Sequence, residues 1–134
     1  MFAAMHNPRA AYGKAGVEMS VETADPHQLV LMLFDGAMLS IAAASVHMRH
    51  NEAHEIALKG EAISKAINII CNGLKASLDM DSGGELAVKL AALYDYMCAR
   101  LLHANVHNQP AALDEVSHLL AELKSAWAQI VGKP

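Results

Sequence analysis

The stretch Thr23-Ala-Asp-Pro-His-Gln-Leu-Val-Leu-Met-Leu-Phe-Asp-Gly36 constrains the fold of this chain more than any other. It opens a helix with well-formed start chemistry. Asp25 suits the N-cap, Pro26 fits the first helical position, and Gln28 stands where a capping-box partner belongs. Six apolar residues follow without a break, Leu29 to Phe34. At 3.6 residues per turn, such a run covers the whole circumference of a helix. A helix of this kind sits at the centre of a larger body or waits for a partner. In a chain of 134 residues the two carry equal weight.

The rest of the chain reads as helix, with no alternating strand pattern. Residues 1–22 are small, polar and mixed and read as a mobile arm. Tyr12, Val17, Met19 and Val21 are its apolar docking points. Residues 23–134 form the helical domain. The first helix runs from about Pro26 to His50, and a tight joint falls near Asn51. In the second, Ile56, Gly60, Ile63, Ile67, Ile70, Leu74 and Leu78 repeat at threes and fours. Asp79-Met-Asp-Ser-Gly-Gly breaks the pattern, and Ser82 with Glu85 reads as a capping box. The third helix repeats Leu86, Leu90, Leu93, Met97, Leu101 and Ala104. Asn108-Gln109-Pro110 separates it from a fourth, whose Leu113, Val116, Leu120, Leu123, Trp127 and Ile130 keep the rhythm of a bundle seam. Gly132 is a stop signal. Helices of roughly 20–27 residues, about 30–40 Å long, joined by short connections predict an all-α fold, an antiparallel up-down four-helix bundle.

Three glycines, Gly36, Gly60 and Gly73, fall inside helices and suggest close approach of a neighbouring helix or partner. A second stripe lies beside the core stripe. On the third helix it comprises Ala87, Ala91, Tyr94, Cys98 and Leu102, and on the second Ala62, Ala66, Ile69 and Ala76. Small residues with scattered large ones make a groove for another helix. A wide core is the plainer account of the same residues.

Composition narrows the function. The net charge is −4, and no basic run appears, so nucleic acid is not an expected partner. Charged residues make up 18%, below the roughly 25% of ordinary globular chains, and 8 methionines suit an adaptable apolar surface. Cys71 and Cys98 read as buried free thiols of a reducing cytosol. No uninterrupted apolar h-region precedes the helices and no stretch reaches the length of a membrane span, so a soluble cytosolic protein without membrane insertion is expected.

Chemical motifs fail on inspection. His50-Asn-Glu-Ala-His54 misplaces the glutamate of a zinc-protease helix. His103 and His107 are four apart but lack further ligands at matching spacing, so no metal is expected. His54 and Lys59-Gly60 resemble a phosphotransfer site, yet two extra residues turn Lys59 by about 200° away from it. Ser82-Gly83-Gly84 suits capping better than anion binding, and Asp79 with Asp81 reads as a solvated turn. No catalytic residue and no cofactor site is expected, so the chain does not read as an enzyme.

Several segments together, in order and at matching intervals, carry a resemblance. They are Thr23 to Gly36, Lys59 to Ile70, Leu78-Asp79, Gly83-Gly84-Glu85, Leu93-Tyr-Asp-Tyr-Met97 and Ala104-Asn105. From about Tyr12 to Ile130 the chain resembles the flagellar secretion chaperone family FliS. The resemblance implies a cytosolic chaperone that wraps the disordered C-terminal segment of flagellin around a helical bundle. It would block premature filament assembly and deliver flagellin to a component of the flagellar type III export gate. Tyr12 matches the family's arm tyrosine, implying a part in arm docking or gate contact. Phe34 replaces a tyrosine usual before Asp-Gly. Asp25 stands where serine is common, and the segment from Ala42 to His54 is unusually rich in Ala and His. The expected partner-binding residues are Tyr12, Met19, Phe34, Asn68, Ile69, Tyr94, Tyr96, Leu102 and Asn105. Asn68 and Asn105 are suited to bond a client backbone where its helix frays. Tyr94 and Tyr96 lie about 200° apart, so one of them faces the groove. The alternatives are a helical adaptor for another client, a bundle that forms a homodimer when empty, and phosphotransfer through His54.

Overall fold

Asp25 caps the first helix as its position predicts: its Oδ1 accepts the Gln28 backbone N–H at 2.8 Å. A computed structural model of the protein describes residues 25–50 and 52–130. Helix α1 runs Pro26–Met48 and α2 runs Ala53–Asn68, continuing through a π turn, Ile69–Leu74, and a 3-10 turn, Lys75–Ser77. Helix α3 spans Gly84–His107 and α4 spans Pro110–Ile130. Among the described residues there is no strand. Each helix packs against two others, in the ring α1, α2, α3, α4 and back to α1. Short connections between ring neighbours give the antiparallel up-down bundle.

The uniformly apolar run of α1 is used on nearly every side. Leu29, Val30, Leu33 and Phe34 are buried, and Leu31 and Met32 half-buried. Its mean hydropathy of 2.0 makes α1 long and apolar enough to cross a membrane by length and composition, contrary to the sequence expectation, and 44% of that window is buried inside the bundle. Ile41, Ile63, Ile70, Leu74, Met97, Leu101, Leu113, Val116 and Leu120 form the centre of the core.

The α2–α3 connection departs from its reading. Ser82 is not a helix cap. Its hydroxyl donates to the Asp79 carboxylate, whose Oδ1 also accepts the backbone N–H groups of Asp81 at 3.1 Å and Ser82 at 3.0 Å. Asp79 is therefore buried at 7% exposure and organises the turn, instead of facing solvent. Gly83 occupies the N-cap. A Cβ there would lie 2.5 Å from the Asp79 carbonyl oxygen, and Gly84 has φ +59°, so both glycines are demanded by the backbone. Hydrogen bonds from Ser82, side chain first, hold the Asp79 carboxyl below its usual range. A lowered folded-state pKa stabilises fully above the unfolded value and less as pH falls through the folded one. The stability gap between the protein and its Asp79→Asn variant is thus expected to be constant above about pH 4–5 and to close in more acidic solution. Urea unfolding across pH checks this; a gap that widens on acidification would contradict it.

Lys59 is buried in α2, 8% exposed. Its Nζ donates to the Asn105 carbonyl at 3.0 Å and to Asn108 Oδ1 at 3.2 Å. Asn108 ends α3 in the left-handed region, φ 52°. The ammonium thus satisfies a free carbonyl at the negative end of α3. Lys59→Met keeps the apolar stem but strands both acceptors, and is expected to cost about 1.5–3 kcal/mol in urea unfolding. Gly60 faces open space, so close approach does not account for it, whereas Gly36 abuts Ile69, whose Cδ1 would lie 3.4 Å from an added Cβ.

The π turn is a further departure from one continuous helical stripe. It shifts the register so that Ile69 and Ile70, then Gly73 and Leu74, are buried in adjacent pairs. The Ser77 hydroxyl donates to the Gly73 carbonyl at 2.7 Å, a back-bond that helps bend the helix end.

Candidate functional site

The seam of α4 does not close along its length. Leu113, Val116 and Leu120 are fully buried; Leu123 and Trp127 are half-buried, and Ile130 is 50% exposed. Among the described residues the burial of this stripe thus falls off toward its C-terminal end. The space beside it is a cleft of about 210 Å³, lined by Val30 and Phe34 of α1, Leu74 at the end of the π turn, Leu86, Leu90 and Tyr94 of α3, and Leu123, Ala126, Trp127 and Ile130 of α4. Apart from one tyrosine hydroxyl and the indole N–H, every lining side chain is hydrocarbon. The Trp127 Nε1–H donates to the His27 carbonyl at 3.0 Å, and the two rings stack at 4.8 Å with an 11° interplanar angle. This contact ties the start of α1 to the end of α4. The His27 Nε2 atom is buried and has no hydrogen-bond partner.

A second apolar surface lies on the outer side of α3. Val88, Leu102 and Val106 are 56%, 55% and 73% exposed. They share one side because the 14 residues from Val88 to Leu102 make almost four turns. Exposed Ala92 and Ala99 lie between them. This is not the stripe expected from sequence. Ala87, Ala91, Tyr94 and Cys98 are all buried, as are Ala66 and Ile69 on α2. The wide-core account holds for these buried residues, whereas Leu102 of the expected α3 stripe stays exposed and Ala62 and Ala76 of the α2 stripe are half-buried.

The sequence-expected residues separate accordingly. Tyr12 and Met19 lie outside the described residues. Phe34, 3% exposed, is both core and cleft wall. Tyr94, 4% exposed, borders the cleft, and burial pushes its phenol well above the usual range. Ile69, 2% exposed, packs within the core. Leu102 stands on the exposed α3 face. Asn68 is exposed, and its Oδ1 accepts from the Asn72 amide one turn on. Asn105 is half-buried, with its carbonyl held by Lys59. Tyr96 points to α4, where its hydroxyl donates to Glu115 Oε2 at 2.5 Å and Arg100 Nε donates to Glu115 Oε1 at 2.8 Å. Those two bonds, the tyrosine's first, hold the Glu115 carboxyl below its usual range. Of the two tyrosines, Tyr94 alone lines the cleft. Eight lining residues fall outside the sequence expectation, Val30, Leu74, Leu86, Leu90, Leu123, Ala126, Trp127 and Ile130, most of which keep the rhythm of an ordinary seam.

No arrangement of catalytic type accompanies these surfaces. His54 lies between Glu52 and Glu55, 3.6 Å and 3.4 Å away, and Lys59 is turned from it into α3. Among the described residues no three His, Cys, Asp or Glu side chains gather as a metal set. What remains is apolar concavity and exposed helix face, the chemistry of protein binding.

Comparison with known proteins agrees. The family model described as flagellar protein FliS matches residues 8–134. The chain is similar to the flagellar secretion chaperone FliS of Salmonella typhimurium, 50% identical over 123 residues, which covers 92% of this chain and 89% of that protein. It is 45% identical to the protein of the same description from Escherichia coli over 92% of this chain and 89% of that one. For Bacillus subtilis the identity is 33%, covering 96% and 89%. These relatives form a chaperone family, not an enzyme family. On the strength of that family match over nearly its whole length, the chain belongs to the flagellar protein FliS family and is a flagellar export chaperone.

Proposed function

We propose that the client is flagellin, and that its disordered C-terminal segment folds into helix against this bundle. The observation that carries the reading is the open end of the α4 seam. Leu123, Trp127 and Ile130 continue a core rhythm into the cleft they share with Leu86 and Leu90. An amphipathic segment that polymerises through its own apolar stripe has the complementary surface. The exposed α3 face of Val88, Leu102 and Val106 extends the contact along the bundle. A disordered client needs such a length, because ordering it costs several kcal/mol. Asn68, exposed on α2, offers an amide to backbone groups of a client that leaves helical geometry.

The cleft is walled in part by Val30 and Phe34, early in α1. Tyr12 and Met19 are proposed to cover it when no client is bound. The bound complex would then hold flagellin unpolymerised in the cytosol and present it to the flagellar type III export gate. Seeded growth of flagellin filaments, followed by light scattering, tests the holding step. Growth is expected to stop near one chaperone per flagellin, and to proceed unchanged when a non-client protein replaces the chaperone at the same ratio. Filament growth unaffected by the chaperone would overturn the reading.

A further inference from the structure

Cys71 and Cys98 belong to different elements, the π turn after α2 and the middle of α3, yet their Sγ atoms lie 2.7 Å apart. A disulfide bond measures about 2.05 Å, and both thiols are free. Two sulfurs this close need little movement to bond. The element carrying Cys71 is a π turn, a local irregularity that can adjust more readily than a regular helix.

The surroundings give the two sulfurs different roles. Cys71 is half-buried and Cys98 is 8% exposed, so a reagent in solution reaches Cys71 first. The Lys75 ammonium, held by Asp95 at 2.7 Å, stands near the pair, but at Cys98 the Asp95 carboxylate outweighs its effect. Burial, reinforced by the bond to Cys71, keeps the Cys98 thiol protonated well above the usual range. Cys98 also points toward the Ile67 carbonyl at 3.9 Å. That arrangement is a more accessible attacking thiol beside a protected resolving one.

We propose that Cys71 and Cys98 form a reversible intramolecular disulfide that fastens the π turn to α3. The oxidant is a low-molecular-weight disulfide, RSSR. The Cys71 thiolate attacks one of its sulfurs, the RSSR bond breaks, and RS⁻ leaves with the electron pair. Cys98 then loses its proton to RS⁻ and attacks Cys71 Sγ, expelling the second RS⁻, which takes up the proton Cys71 released. Two protein thiols are oxidised, and RSSR is reduced to two RSH. The reaction requires neither a client nor any particular reading of the cleft.

Oxidised glutathione added to the purified full chain tests this by intact mass and peptide mapping. The expected product is a monomer lighter by two hydrogen atoms, with a Cys71–Cys98 cross-linked peptide, restored to the starting mass by dithiothreitol. Cys98→Ser is expected to stop at a stable glutathione adduct on Cys71. Cys71→Ser is expected to react at least about tenfold more slowly than the unaltered chain, because burial suppresses thiolate formation at Cys98. Unaltered chain that accumulates lasting glutathione adducts, forms intermolecular dimers, or stays unreacted while its urea-unfolded form reacts would overturn the proposal. The unaltered chain alone decides the matter, so a variant that fails to fold leaves the test intact.

Discussion

Leu120→Ala is expected to lower the unfolding free energy by about 2–5 kcal/mol, whereas Leu123→Ala, less than one turn further along the same stripe, is expected to cost about 1 kcal/mol or less. Leu120 is 0% exposed at the point where α4 is still enclosed by the bundle, and truncation there leaves a cavity the core fills only in part. Leu123 already faces the cleft, so its removal enlarges a space that water can enter and forfeits only part of a side chain's burial. Urea unfolding of the two variants, read as midpoints at unchanged slope, measures the difference. Equal losses would mean that the seam is closed through Leu123 and that the cleft is part of an ordinary core.

The second large effect is on binding. Leu86→Glu is expected to weaken the affinity for the flagellin C-terminal segment by about thirtyfold or more, some 2 kcal/mol, with stability unchanged to within about 0.5 kcal/mol. Leu86 is 57% exposed in the first turn of α3, where a carboxylate is favoured by the helix dipole. The substitution therefore spares the fold. It also places a charge at the mouth of an apolar cleft, where a bound client would have to desolvate it. Leu39→Glu, at an α1 residue 71% exposed and not among those lining the cleft, is the matched control and is expected to bind as the unaltered chain does. Thermal unfolding beside each titration separates lost affinity from lost structure. Equal weakening by both substitutions would place the client elsewhere.

The four helices were legible because each carried a local signal that the tertiary structure did not override. Asp25-Pro26 starts α1 as its chemistry dictates, and the 3-4 rhythm of Leu113, Val116 and Leu120 is the buried seam of α4. The failures share a different cause. Periodicity tells which residues share a face, not how far a neighbouring helix extends along it. Trp127 and Ile130 keep the spacing of Leu113, yet the first is half-buried and the second 50% exposed. The same blindness made Ala91 and Tyr94 look like a spare face when both are buried in the core. Ser82 and Glu85 match a capping box, but Asp79 captures the serine first and leaves Gly83 to begin the helix. Lys59 finds its acceptors 46 and 49 residues away, a contact that no local window contains. The π turn arises where Gly73 and the Ser77 back-bond let the helix loosen, a choice of register that a stripe of isoleucines does not reveal.

The central claim is that the open end of this bundle orders a specific segment of flagellin. Calorimetric titration with the C-terminal flagellin segment from the same source, against a mid-segment peptide as control, tests it most directly. The account predicts one-to-one binding of the C-terminal segment alone, with a large negative heat-capacity change from apolar burial and coupled folding. Absence of binding at concentrations of tens of micromolar, or equal binding of the control peptide, would contradict it.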